Sequence, residues 1–279
     1  MCSAHVKQYL PANFQLIEIN KAILSDKKTL DSKTKKTKDE PKIQINKSNY
    51  RQFYEKNFEK LSFSVNIESD KIIAHNILEA FQKTQEDILE REYEVNYSGT
   101  TVCSAFILGH MLYCANVGDS RCVVARFDND SKLKALQISR DHKPDDPEEK
   151  SRILSTGGRV ESFKNEDDED VGPPRVWLQE EDVPGLAMSR SIGDTIAAQV
   201  GVLHSPEIHV YKFTKNDKFL IIASDGIWEF VTNEHAVQIV TKFWMNGDAD
   251  SAVDELIKVA SQFWEDVIIL FIQERISKR

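Results

Sequence analysis

The sequence predicts an α+β fold, because short apolar runs bounded by turns are combined with segments of helical periodicity. Residues 102–108 (VCSAFIL), a turn containing glycine, and residues 111–117 (MLYCANV) predict a β-hairpin. Further strands are expected over 122–125 and over 219–223 (FLIIA), where the composition is that of a buried strand. Since the helical segments are grouped between these strands, the pattern favours α+β over a doubly wound parallel sheet.

Three segments have the spacing of amphipathic helices. Over 71–93, 233–244 and 251–264, apolar residues recur at intervals that place them near one helix face. The apolar run that follows, 267–272 (VIILFI), predicts a final strand.

A fourth helix is predicted by the residues that would start it. Asp146 is a suitable N-cap, Pro147 suits the first helical position, and Glu149 stands where a capping box has its acidic residue. We expect Ile153 and Leu154 to face inward, and a pair of glycines directly afterwards to end the helix.

The composition is that of a globular protein with an acidic surface. The 279 residues carry a formal net charge of −9, and 41% of them are hydrophobic. Nucleic-acid binding depends on Lys and Arg side chains that neutralise phosphates, so this charge disfavours a nucleic-acid partner. The N-terminus has no apolar segment of the signal-peptide type, and the run 267–272 is too short to cross a bilayer. We expect a monomer without a nucleic-acid or membrane partner.

The cysteines and one polar segment complete this outline. Three of the four cysteines lie within the apolar stretch 102–124, and none belongs to a CxxC pair. This pattern favours buried, reduced thiols and a cytoplasmic or nuclear location over disulfides or a zinc site.

Residues 25–42 are almost entirely polar, so we interpret 1–279 as a single domain with a disordered, dispensable insertion at 25–42.

Candidate metal ligands are found among aspartates at predicted strand ends. Asp119, Asp194 and Asp225 each adjoin a glycine or a similar sharp turn, and Asp266 is placed more loosely. A strand fixes the backbone and glycine allows the chain to turn close to an ion. Hard cations such as Mg²⁺ and Mn²⁺ prefer carboxylate and water oxygens. Taken one at a time, each of these aspartates is better explained as part of a turn, and it is the motifs around them that favour a metal site.

Three of these aspartates, Asp119, Asp194 and Asp225, lie within a series of six sequence motifs. The motifs are 97–102 (YSGTTV), 115–121 (ANVGDSR), 139–144 (SRDHKP), 157–160 (GGRV), 186–194 (LAMSRSIGD) and 223–229 (ASDGIWE). This series resembles the signature of the metal-dependent protein phosphatases of type 2C, the PPM family. The resemblance extends over roughly 93–275.

The resemblance implies a fold, a reaction and a set of site residues. The fold would be two packed antiparallel β-sheets flanked by helices, an α-β-β-α sandwich. The reaction would be hydrolysis of phosphoserine and phosphothreonine in protein substrates by a water bound between two Mg²⁺ or Mn²⁺ ions. Asp225 would be a metal ligand and Asp119 would serve a weaker third metal. Asp194 would be either a structural acid or a direct participant.

The last metal ligand of the family corresponds to one of two residues here. Strict register places Glu265 at that position, and a shift by one residue places Asp266 there. Arg175 and Trp177 fall where the family has a variable flap, and either contact with substrate or surface packing would account for them. The resemblance further implies that Arg121 pairs with a neighbouring carboxylate and that Trp228 belongs to the core.

The opening segment of the family's domain has no counterpart in this chain. That segment carries a phosphate-binding Arg, an acidic pair and an Asp-Gly-His-Gly motif, and Asp-Gly-His occurs nowhere in the sequence. Two interpretations remain open, a fragment of an active enzyme or a catalytically inactive pseudophosphatase that binds phosphoproteins or regulates partners. In either case we expect the 279-residue chain by itself to have little activity.

Overall fold

The computed structural model describes residues 67–277, with side chains described for 70–264. The predicted insertion at 25–42 lies outside the described residues. The helices are α1 Ile67–Leu89, α2 Pro147–Ser155, α3 Thr195–Ala198, α4 Asp225–Trp228, α5 Asn233–Trp244 and α6 Ala249–Ser277. The strands are β1 Gly99–Thr100, β2 Val102–Leu108, β3 Met111–Val117, β4 Arg121–Phe127, β5 Leu133–Gln137, β6 Gly158–Lys164, β7 Asp170–Leu178, β8 Pro184–Leu186, β9 Ile192–Gly193, β10 Glu207–Lys212 and β11 Asp217–Ala223.

Two antiparallel three-stranded sheets form the centre of the molecule, with strand orders β10-β3-β2 and β11-β4-β5. Their facing surfaces meet in an apolar layer in which Leu112 and Cys114 of one sheet pack with Cys122 and Val124 of the other. All four side chains are fully buried. The predicted hairpin is confirmed, because β2 and β3 pair from Val102–Val117 to Leu108–Met111.

Helices cover the outer face of each sheet. On one side Ile77 and Phe81 of α1 pack against Tyr113 of β3. On the other side Val237 of α5 and Leu256 of α6 pack against Val123 of β4. The described chain is therefore an α-β-β-α sandwich, as the sequence predicts. Within the described residues, no helix is long and apolar enough to cross a membrane.

A smaller sheet and a short strand pair lie beside the sandwich. The smaller sheet has the order β6-β7-β8, and α2 packs on it through Ile153. The strand pair joins β1 to β9, which brings Gly99 opposite Gly193. The acidic residues 166–170, between β6 and the start of β7, are all exposed.

The predicted final strand at 267–272 is wrong. Helix α6 continues without a break from Ala249 to Ser277. Neither glycine nor proline occurs between these ends, so nothing interrupts a helix that has already formed. A short apolar run cannot by itself distinguish a strand from a helical segment.

Helix α2 has the predicted boundaries but differs at two side chains. Asp146 caps it by accepting hydrogen bonds from the backbone N–H groups of Glu148 and Glu149, at 3.1 and 3.4 Å. The Asp146 N–H itself donates to the carbonyl of Lys143, so the capping box predicted for Glu149 is wrong. Leu154 is also mostly exposed, although Ile153 is fully buried.

Candidate functional site

A tight corner between β3 and β4 holds the first of the predicted aspartates. Gly118 adopts φ +93°, and a Cβ at this position would lie 2.3 Å from the Thr101 side chain. His142 fixes the corner from the other side. Its backbone N–H donates to the Gly118 carbonyl at 3.0 Å, and its ring Nδ1 accepts from the Gly118 N–H at 3.1 Å. Burial lowers the pKa of His142, which favours the neutral ring that this acceptor role requires.

Asp119 is buried at this corner and paired with a lysine. Only 3% of Asp119 is exposed, and the Lys143 ammonium donates to its Oδ2 at 2.6 Å. Burial by itself would lower the pKa of Lys143. The hydrogen bond to Asp119 and the charges of Asp141 and Glu229 outweigh burial, so the pKa is raised and the ammonium stays charged.

Asp225 lies at the same edge of the sandwich as Asp119. Strands β4 and β11 are antiparallel, with Arg121 opposite Ala223. Asp119 precedes that pair by two residues and Asp225 follows it by two, so both leave the sheet at one end. Asp225 begins α4 and is exposed to solvent.

Glu229 is an acidic neighbour that the sequence analysis missed. It follows Asp225 by four residues, and its N–H donates to the Asp225 carbonyl at 2.8 Å, so the two lie on one side of a helical turn. It also contributes to the charge around Lys143. The i, i+4 spacing of Asp225 and Glu229 in the sequence could have predicted that the two acids lie on one side of a helical turn.

Asp194 has the surroundings of a structural acid. It adopts a left-handed conformation with φ 44° and is 5% exposed. The Ser191 hydroxyl donates to its Oδ2 at 2.6 Å, and its backbone N–H donates to the Ser98 carbonyl at 3.0 Å. Burial raises the pKa of Asp194. Its assignment as a metal ligand stays a prediction.

The described carboxylates are of the chemical type that binds a hard cation, but too few of them converge to form a complete site. Asp119, Asp225 and Glu229 offer the oxygen donors that Mg²⁺ and Mn²⁺ prefer. Across the side chains of 70–264, however, no group of three His, Cys, Asp or Glu residues converges closely enough to hold a metal. Glu265 and Asp266 lie in α6, and their side chains fall outside the described residues. Their assignment as ligands stays a prediction.

The two predicted substrate-binding residues lie on β7 of the smaller sheet. Arg175 donates to the Gly185 carbonyl at 2.8 Å, and its guanidinium lies 4.9 Å from the centre of the Phe163 ring. Trp177 is 7% exposed and donates to the Glu161 carbonyl at 2.9 Å. Both side chains therefore stabilise the small sheet, and their contact with substrate stays a prediction.

Arg121 pairs with a neighbouring carboxylate, as predicted, and links the start of β4 to the core. Its guanidinium makes two hydrogen bonds to Asp141, at 3.0 and 2.6 Å, and a third to the Asn233 side chain at 2.7 Å. It also lies 5.3 Å from the centre of the Trp228 ring. Trp228 is buried in the core against β4 and β11. These contacts hold the start of β4 against α4 and α5.

Replacing Lys143 by methionine is expected to lower the free energy of unfolding by about 1–3 kcal/mol, because the buried Asp119 carboxylate loses its partner. Urea unfolding at neutral pH measures the change. The matched control is Lys150→Met on the exposed surface of α2, where we expect a change within about 0.5 kcal/mol. Equal effects of the two substitutions would show that the ion pair with Asp119 contributes nothing.

Comparison with known proteins agrees with this geometry. The family described as "Protein phosphatase 2C" matches residues 28–262, so the chain belongs to the protein phosphatase 2C family. This family is generally metal-dependent.

Two plant proteins and one solved structure illustrate the similarity. "Probable protein phosphatase 2C 73" of Arabidopsis thaliana is 37% identical over 175 residues, which cover 63% of this chain and 45% of the relative. "Probable protein phosphatase 2C 12" of Oryza sativa subsp. japonica is 40% identical over 176 residues, covering 63% and 43%. The serine-threonine phosphatase 2C from Toxoplasma gondii shares the fold with a TM-score of 0.61 at 21% identity, over 75% of this chain and 70% of that one. The chain thus spans less than half the length of the two plant relatives.

Proposed function

We propose that this protein is a metal-dependent phosphatase that hydrolyses phosphoserine and phosphothreonine in proteins. The observation that carries the proposal is the common edge at which Asp119 and Asp225 leave β4 and β11. Family membership and the ordered motifs support the same reaction.

We propose Mg²⁺ or Mn²⁺ as the metal, with Asp225 and Asp119 as ligands. Glu229 stands close enough to add charge, and the remaining ligands would come from side chains outside the described residues. When bound, such ions polarise phosphoryl oxygens and acidify water. Lys143 holds the Asp119 carboxylate in place. The contacts of Arg121 with Asp141 and Asn233 keep the start of β4 beside the helices that follow Asp225.

The test compares the 279-residue chain with a version extended at its amino end by the opening segment of a family relative. Hydrolysis of a phosphothreonine peptide is measured with millimolar Mn²⁺, millimolar Mg²⁺ and chelator. We expect turnover near background for the chain alone and metal-dependent turnover for the extended version. In the extended version, Asp225→Asn should reduce turnover by roughly 10²–10³, as loss of one electrostatic element of an active site does.

Lys150→Met in the extended version is the control, because this exposed lysine lies outside the proposed site. Absence of metal-dependent turnover in the extended version would contradict the phosphatase proposal. Unchanged turnover after Asp225→Asn would remove Asp225 from the site. Equal turnover of the chain alone and the extended version would show that the opening segment is not needed.

A further inference from the structure

Three cysteines from three different strands meet between the two central sheets. Cys103 lies on β2, Cys114 on β3 and Cys122 on β4. Cys103 is opposite Asn116 and Cys114 is opposite Ala105, so these two cysteines occupy diagonal positions on one sheet face. Cys122 projects from the facing sheet into the same apolar layer.

The three thiols differ in exposure. Cys114 and Cys122 are fully buried, whereas Cys103 is only partly buried and lies on β2, an edge strand of its sheet among the described residues. A small oxidant arriving from solvent would therefore reach Cys103 before the other two.

Cys103 also packs against the cluster that contains Cys114 and Cys122. Hydrogen bonding from the Cys114 and Cys122 thiols outweighs burial and lowers the pKa of Cys103 to about 4. The same contacts, together with burial, raise the pKa of Cys114, and that of Cys122 to about 12. Because Cys103 is the thiol that solvent reaches, it is the candidate nucleophile, and Cys114 and Cys122 are the candidate resolving thiols.

We propose that Cys103 is an oxidation site for hydroperoxides, at which an intramolecular disulfide forms with Cys114 or Cys122. The Cys103 thiolate attacks a peroxide oxygen, the O–O bond breaks, and hydrogen peroxide yields a sulfenic acid and hydroxide. The neighbouring thiol then attacks the sulfenic sulfur, an S–S bond forms, and the sulfenic oxygen leaves as water with the thiol proton. The peroxide is reduced by two electrons and the two thiols are oxidised by two. This inference is independent of the proposed phosphatase function.

The test treats the folded, reduced chain with hydrogen peroxide and counts free thiols after denaturation. The chain has four cysteines, and we expect two of the four thiols to be lost and to return with dithiothreitol. Trypsin releases Cys103 and Cys114 together in residues 92–121 and Cys122 in residues 122–126. A Cys103–Cys114 bond therefore gives peptide 92–121 lighter by two hydrogens, and a Cys103–Cys122 bond joins the two peptides.

Two variants separate this site from other oxidation. Cys103→Ser should keep all its remaining thiols under the same treatment, whereas Cys2→Ser should still lose two. Full retention of four thiols in the unsubstituted chain would overturn the proposal, and this result does not depend on how any variant folds. A disulfide that involves Cys2, or one that links two chains, would overturn it as well.

Discussion

Replacing Glu149 by glutamine is expected to lower the free energy of unfolding by about 3–5 kcal/mol, the usual cost of removing one partner from a buried ion pair. Glu149 is 1% exposed. Its carboxylate accepts two hydrogen bonds from Arg190 at 2.8 and 3.1 Å and two from Arg152 at 2.7 and 2.8 Å. The Ser189 hydroxyl adds another at 2.6 Å. A neutral amide would remove the nearest counter-charge from two largely buried guanidinium groups.

The effect of this substitution should depend on pH. Burial by itself would raise the pKa of Glu149, but hydrogen bonds from Arg152 and Arg190 outweigh it and hold the pKa well below its ordinary value of 4.5. A carboxyl whose pKa is lower in the folded state than in the unfolded state stabilises the fold fully at pH values above its unfolded-state pKa. This stabilisation is lost as the pH falls towards its folded-state pKa. The difference in free energy of unfolding between the unsubstituted chain and Glu149→Gln should therefore be constant near neutral pH and become smaller below about pH 4.5.

Chemical unfolding over a series of pH values measures both effects. The matched control is Glu148→Gln, the adjacent and more exposed acid of the same helix turn, for which we expect a loss below about 1 kcal/mol. A similar loss for Glu148→Gln, or a difference at Glu149 that grows towards acid pH, would contradict this account.

Gly99→Ala is the second substitution for which we expect a large effect. A Cβ at Gly99 would lie 1.9 Å from Asp194 Oδ2 and 2.4 Å from the Ser191 hydroxyl oxygen. These two groups form the buried hydrogen bond of 2.6 Å, and the pairing of β1 with β9 fixes the backbone on which they stand. The methyl group must therefore break that bond or separate the two strands. Overpacking and an unsatisfied buried carboxyl together should lower the free energy of unfolding by about 2–5 kcal/mol.

Gly226→Ala is the control for this prediction. A Cβ there would meet only Ser224 Oγ, at the ordinary distance of 3.4 Å, so we expect a change within about 1 kcal/mol. Urea unfolding of both variants provides the comparison. If Gly99→Ala were no less stable than Gly226→Ala, the close approach of Asp194 to Gly99 would be refuted.

Features that depend on residues adjacent in the chain could be predicted from the sequence alone. The hairpin of β2 and β3 has its predicted limits, because alternating apolar runs on either side of a glycine turn leave one register. Helix α5 begins and ends where its apolar spacing predicts, with Thr232 as its N-cap. The ordered motifs identified the family for the same reason, since each motif is a short contiguous segment with its own turn chemistry.

The tertiary structure alone decided which distant residues meet. Glu149 was expected to cap its own helix, but its partner Arg190 lies 41 residues along the chain. Asp119 and Lys143 come from different motifs, which are joined by the hydrogen bonds between Gly118 and His142 and between Arg121 and Asp141. Burial could likewise not be assigned residue by residue, since Leu154 follows the buried Ile153 and faces solvent. Local patterns specify turns, caps and periodicity, whereas an ion pair or a thiol cluster depends on how the sheets and helices pack, which no short segment of sequence encodes.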